Sequence, residues 1–290
     1  MVLPGRLSPG EMFPAGEAGL RHTIIRLASG LRVRVVESGP ESGPPVILVP
    51  GWGCGAWMFH ETLPGLGAAG LHAIAVELKG HGLSDKPIAP DEYTVESMRD
   101  NLLEIVDALA VGEAGLVGHS MGASIAAHAA AAAPDRFNAL ALVAPVGFAG
   151  VRGMSIFRAL TPAFASRILP RITSRLLIWV LLIVVYRLRR PTGRDIDEFR
   201  APTQFPEFTE ALRHLLHRFE WKTTFPTLNI PRLVIVGTRD HLSRHKDAWR
   251  YAGDMPPLVI QGAGHPILDE APEIVNAALA DFFRKHARRG

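Results

Sequence analysis

One cysteine in 290 residues leaves nothing to cross-link. Cys54 alone excludes an intrachain disulfide framework and a cysteine-based zinc site, and it fits a reducing cytoplasm. Charge of one sign is also scarce. Lys and Arg number 31 against 28 Asp and Glu, for a formal net charge of +3, and no long basic run breaks the chain. With no clustered aromatics either, nothing offers nucleic acid a footprint. A continuous apolar stretch of about 20 residues, the length a spanning helix requires, is missing. The strongest run, Leu176–Tyr186, reads LLIWVLLIVVY and is much shorter. The first 20 residues are broken by Pro and Gly and lack the apolar core of a secretory signal, so they read as an irregular lead-in.

What is present is the material for a large core. Hydrophobic residues make up 48% of the chain and charged ones 20%. At this length the chain suits one large α/β domain with an insertion, or two small domains. Residues 22–27 and 31–36 alternate around Ala28-Ser29-Gly30, which predicts a hairpin. Short continuous apolar runs at 45–50, 72–78, 114–118, 139–143, 232–236 and 258–261 suit parallel strands buried on both faces. Helical patterns fill 94–109, with Thr94 as N-cap, then 121–133 and 271–286. Strands alternating with helices predict a mostly parallel, doubly wound sheet. The rhythm stops from about Val146 to Phe225, where the chain is helical and divided by prolines. The expected organisation is a core of residues 1–145 and 226–290, with a helical cap inserted at 146–225.

Gly118-His119-Ser120-Met121-Gly122 matches G-x-S-x-G, between an expected strand and an expected helix. That context suits a serine held on a strained turn with its hydroxyl projecting above the sheet, and both flanking glycines leave room for neighbouring backbone. Two later segments follow in the order nucleophile, acid, histidine. PRLVIVGTRD puts Asp240 just past the end of a buried strand, and QGAGHP puts His265 in a small-residue loop after the last strand. A serine hydroxyl is a poor nucleophile at neutral pH. His265 would take its proton, and Asp240 would hold the imidazole in the required tautomer. Pro50-Gly51-Trp52-Gly53 follows the strand PVILVP, where an oxyanion-hole loop belongs, so the backbone N–H groups of Trp52 and Met121 are the expected oxyanion donors.

With these segments in order, the sequence resembles the α/β-hydrolase superfamily. VPGWG resembles its oxyanion loop, with Pro50 where His is common. Val76–Pro87, VELKGHGLSDKP, resembles its Asp-x-x-Gly-x-Gly-x-Ser stretch, with Glu77 in the acidic place. The resemblance covers residues 22–145 and 226–286, and the insertion falls where the superfamily carries a cap. It implies the α/β-hydrolase fold and a serine hydrolase acting on carboxylic esters without cofactor or metal. Ser rather than Asp at position 120 disfavours the superfamily's haloalkane dehalogenase and epoxide hydrolase chemistries, which use Asp. The triad alone leaves open C–C bond, lactone and amide hydrolysis, and a ligand receptor of slow turnover.

Other polar residues read as structural. The pairs His241/His245 and His214/His217 have helical spacing but no third ligand, so surface positions are expected. His119 and His81 are expected to pack, Glu270 to start the last helix, and Cys54 to be inert. Leu176–Tyr186 is flanked by Arg175, Arg187, Arg189 and Arg190. It suits a cap helix lining a pocket for a lipophilic ester, a helix docked on a membrane surface, or one buried between cap and core.

Overall fold

The computed structural model describes residues 5–151, 154–159, 161–162 and 164–287. The hairpin comes first. Strand β1 (Leu20–Arg26) runs antiparallel to β2 (Arg32–Ser38), and Gly30 takes φ 87° in the turn. Next come β3 (Pro45–Val49), helix α1 (Thr62–Ala68), β4 (His72–Val76), α2 (Val95–Leu109), β5 (Ala114–His119), α3 (Met121–Ala132) and β6 (Phe137–Val143). Five helices follow without a strand among the described residues: α4 (Met154–Ala159), α5 (Ala165–Ile172), α6 (Arg175–Val185), α7 (Gly193–Arg200) and α8 (Pro206–Arg218). The chain ends with β7 (Arg232–Gly237), β8 (Leu258–Ile260), the short α9 (Ile267–Glu270) and α10 (Pro272–His286).

The eight strands form one sheet in the order β1-β2-β4-β3-β5-β6-β7-β8, parallel from β4 to β8. Helices cover both faces. Met98, Leu102 and Ile105 of α2 pack with Ile125 and Ala126 of α3 in one core. Leu63 and Leu66 of α1 pack with Val275, Leu279 and Phe283 of α10 in the other. From β3 the chain steps out to β4, then returns past β3 to β5. This reversal opens a crevice at the carboxyl ends of β3 and β5, where open α/β sheets bind ligands.

Local chemistry explains most of these elements. Thr94 Oγ1 accepts the Ser97 N–H at 3.1 Å and starts α2. Ser174 Oγ does the same for Leu177 at the head of α6. Helix α1 is the element the sequence hides. Pro64, Gly65 and Gly67 read as a loop, and burial of Leu63 and Leu66 overrides that preference. Among the described residues, no helix is long and apolar enough to cross a membrane.

The lead-in expected to be irregular is a strap between the sheet and the inserted helices. The Phe13 N–H donates to Glu198 Oε1 at 2.8 Å, and its carbonyl accepts from Arg34. Arg200 donates to the Gly5 carbonyl at 2.7 Å, Gln204 to that of Leu7 at 2.9 Å, and Arg194 to that of Glu11 at 2.9 Å. Burial pushes the Glu198 carboxyl up to about 7, against the opposing pull of the Phe13 N–H, Arg194 and Arg34. A carboxyl raised by folding contributes stability below its unfolded value, and that contribution is lost as pH rises through the folded value. The native protein is therefore expected to lose stability between about pH 4.5 and 7 through this group. Glu198→Gln should raise the melting temperature at pH 8, by the equivalent of about 1–3 kcal/mol, and change little at pH 4. Thermal melts at the two pH values check this.

Candidate active site

Ser120 lies between β5 and α3 with φ 54° and ψ −120°, a conformation that costs about 1–3 kcal/mol for a residue with a side chain. Its backbone is held from both sides. The Ser120 N–H donates to the Val143 carbonyl at 3.0 Å, and its own carbonyl accepts from Ala123 at 3.0 Å and Val146 at 3.1 Å. The flanking glycines make the turn feasible. A Cβ on Gly118 would lie 2.5 Å from the Ala123 Cα and the Gly122 carbonyl oxygen, and one on Gly122 would lie 2.5 Å from the Pro50 carbonyl oxygen. Gly122→Ala is expected to cost about 3 kcal/mol by forcing two backbone segments apart, read as a lower midpoint in urea unfolding.

His265 follows β8, and Asp240 follows β7. His265 Nε2 is 2.8 Å from Ser120 Oγ, and His265 Nδ1 is 2.8 Å from Asp240 Oδ2. The other Asp240 oxygen accepts the N–H groups of Leu242 at 2.8 Å and Ser243 at 3.0 Å. Burial alone would raise the Asp240 carboxyl. His265 and the two N–H donors outweigh it and hold the group below its usual value. An ionised Asp240 can only accept, so Nδ1 of His265 carries the proton and Nε2 is free to accept from the serine. All three residues are buried, with Ser120 8% exposed. A cavity of about 330 Å³ opens on the carboxylate side, lined in part by Val146, Gly147, Asp240, Ser243 and Tyr251.

The loop after β3 reaches the serine. A Cβ on Gly51 would lie 2.9 Å from the Ser120 Cβ. A turn closed by Cys54 N–H to the Gly51 carbonyl at 3.1 Å, with Gly53 at φ 73°, presents Trp52 at its crest. Among the described residues, neither the Trp52 nor the Met121 N–H donates to a protein oxygen. The Trp52 indole donates to the Leu212 carbonyl of α8 at 3.0 Å, tying this loop to the inserted helices.

Glu77, in the acidic place of its motif, braces the neighbourhood. It accepts the N–H of Ala56 at 3.0 Å and of Leu83 at 2.7 Å, and pairs with Arg34. Burial pushes the Cys54 thiol up to about 12. His81 is buried and lowered to about 4 by desolvation.

Two expectations need correction. Glu270 does not start the last helix, which begins at Pro272. It accepts the N–H groups of Arg187, of Leu188 at 2.7 Å and of Gly264 at 2.5 Å, joining the exit of α6 to the His265 loop. A second tie joins the same places: the His265 N–H donates to the Val185 carbonyl at 3.1 Å. His214 is not at the surface. It is buried, stacked on Tyr93 and 3.1 Å from Glu210. His119 does pack, but it also supports the site. Its Nε2–H donates to the His265 carbonyl at 3.1 Å, and burial lowers the ring to about 3, so it stays neutral.

One cluster away from the serine has the make-up of a metal site: His60, Asp195 and Asp269 offer ligand atoms within 4.8 Å of one another. Arg189 bridges the two carboxylates. The Trp57 indole donates to Asp195 at 3.1 Å, and the Tyr186 hydroxyl donates to Asp269. A guanidinium takes the place a cation would need.

Comparison with known proteins agrees with this architecture. A family model described as "alpha/beta hydrolase fold" matches residues 44–177. Epoxide hydrolase A of Mycobacterium tuberculosis is 29% identical over 305 residues, covering 88% of this chain and 94% of that protein. Among solved structures, the epoxide hydrolase CorEH superposes with a TM-score of 0.78 at 22% identity, covering 92% of this chain and 99% of that one. A bacterial membrane phospholipase A superposes at 0.77 with 22% identity, covering 94% and 88%. At such identities the superpositions speak for the fold alone. A strand–serine–helix turn at the switch point of an eight-stranded sheet, within the residues that model matches, gives the chain the α/β-hydrolase fold.

Proposed function

We propose that the protein is a serine hydrolase that cleaves carboxylic esters with a hydrophobic acyl or alkyl part through an acyl-serine intermediate. The observation that carries this reading is the hydrogen-bonded row Ser120–His265–Asp240, with 2.8 Å at each step. His265 Nε2 accepts the proton of Ser120 Oγ as the oxygen attacks the ester carbonyl. The N–H groups of Trp52 and Met121 receive the negative oxygen that develops. The His265 imidazolium, stabilised by Asp240, then protonates the departing alcohol. Water, deprotonated by the same nitrogen, attacks the acyl-serine and releases the acid. In this reading the inserted helices 146–225 are a cap over the serine, and no metal or cofactor takes part.

The relatives named as epoxide hydrolases suggest a different bond. A serine nucleophile favours an ester instead. An oxygen nucleophile that opens an epoxide becomes bonded to an alkyl carbon. Attack by a carboxylate gives an ester, which water cleaves at its carbonyl. Attack by Ser120 would give an ether, which has no carbonyl and would end turnover. A carbonyl substrate avoids this trap, because acyl-serine is itself an ester.

A series of p-nitrophenyl esters from acetate to laurate tests the reading. We expect kcat/KM to rise with acyl length by up to about fourfold per methylene while the chain still finds apolar surface. No hydrolysis across the series, together with turnover of styrene oxide, would overturn it.

A further inference from the structure

The segment between the last acid before the inserted helices, Asp135, and the first acid after it, Asp195, is chemically lopsided. Residues 136–194 contain ten arginines, no lysine and no Asp or Glu. Within this segment α6 presents an apolar face outward. Leu176, Leu177, Val180, Leu181 and Val184 are all exposed, from 37% at Leu177 to 68% at Leu176, and Leu188 continues the stripe beyond the helix. Their spacing of one and four places them on one side of an α-helix. Ile178 and Leu182, on the other side, are buried against Tyr186 and Ile196. Burying one face of this helix therefore leaves a second, equally apolar face in contact with solvent. Few proteins leave such a face bare unless something covers it.

Charge indicates what covers it. Arg190 is exposed just past the helix, and the Arg187 guanidinium donates only to the Ile183 and Tyr186 carbonyls among the described residues. Neither is neutralised by a carboxylate there. Arg175, at the other end, pairs with Asp197. An apolar stripe with a cationic end matches the boundary between acyl chains and anionic headgroups. It does not match a second copy of the same face, which would bring two arginine-rich segments together. The helix has 11 residues, a length of roughly 16 Å, so it lies in such a boundary rather than crossing it.

We propose that the outer face of α6 docks the protein on an anionic phospholipid surface, with Leu176, Val180, Leu181 and Val184 entering the acyl boundary and Arg187 and Arg190 meeting phosphate groups. The proposal does not depend on which bond Ser120 cleaves. Because Val185 and Leu188 are tied to the His265 loop, docking would set that side of the active site against the lipid.

Flotation of the full chain with vesicles of phosphatidylcholine alone, or mixed with phosphatidylglycerol, tests it without any activity readout. The protein should float with the mixed vesicles and much less with the neutral ones, and added salt should release it. Leu176→Glu/Leu181→Glu/Val184→Glu should lower partitioning more than about tenfold at an unchanged melting temperature. Arg190→Gln should lower it about fivefold, and this arm stands if the triple variant does not fold. Three results would overturn the proposal: failure of the native protein to float, equal flotation with both vesicle types, or a triple variant that floats as well as the native chain. Sedimentation showing that the triple variant instead dissociates a dimer that ignores vesicles would assign the face to self-association and also overturn it.

Discussion

Ser120→Ala should lower kcat for ester hydrolysis by about 10⁵–10⁶, the scale of losing a nucleophile whose partners cannot replace it. The same change should abolish labelling by a fluorophosphonate probe. His265 and Asp240 would remain in place, since their mutual bond and the N–H groups on Asp240 do not involve the serine. The fold should also survive. Alanine meets the same strain at φ 54° as serine does, and the Ser120 N–H and carbonyl bonds are backbone bonds. A melting temperature close to that of the native chain, with labelling lost, is the expected pair of results. Labelling that persists in the variant would move the nucleophile elsewhere.

The second large effect comes from Asp240→Asn, which keeps shape and removes charge. One oxygen of Asp240 faces two N–H groups and the other faces the His265 ring. An asparagine must place its carbonyl toward the two N–H donors, because an amide NH2 there would meet like partners. Its NH2 group then points at Nδ1 of His265, which must give up its proton to accept. The proton moves to Nε2, facing Ser120 Oγ, and the ring can no longer act as base. A loss of about 10⁴ in kcat is expected, with KM for a short ester little changed. Asp240→Ala, which imposes no tautomer, should leave more activity than Asp240→Asn. Equal rates for the two would argue against this account.

Much of the site could be read in the sequence because its requirements are steric and local. Gly118 and Gly122 are forced by neighbouring backbone, and strands so short and apolar allow only a sheet buried on both faces. Asp240 and His265 were legible because each follows such a strand closely. What stayed hidden depends on contacts between distant segments. Nothing local marks Glu270 as the acceptor of N–H groups from Arg187 and Leu188, more than 80 positions away. The strap at Phe13 depends on Glu198, 185 positions on. His214 resembled a surface histidine because its burial comes from Tyr93, on another element. Helix α1 was masked by its own glycines, which tertiary packing overrules.

The Glu270 junction also restricts how the protein can move. Ser120 is only 8% exposed. The exit of α6 is fastened to the loop that carries His265 by four hydrogen bonds, three on Glu270 and one from His265 to Val185. Opening that swung this end outward would drag His265 away from Ser120 and switch the chemistry off. Any shift of the inserted helices that preserves the Ser120–His265 contact has to leave the α6 exit in place.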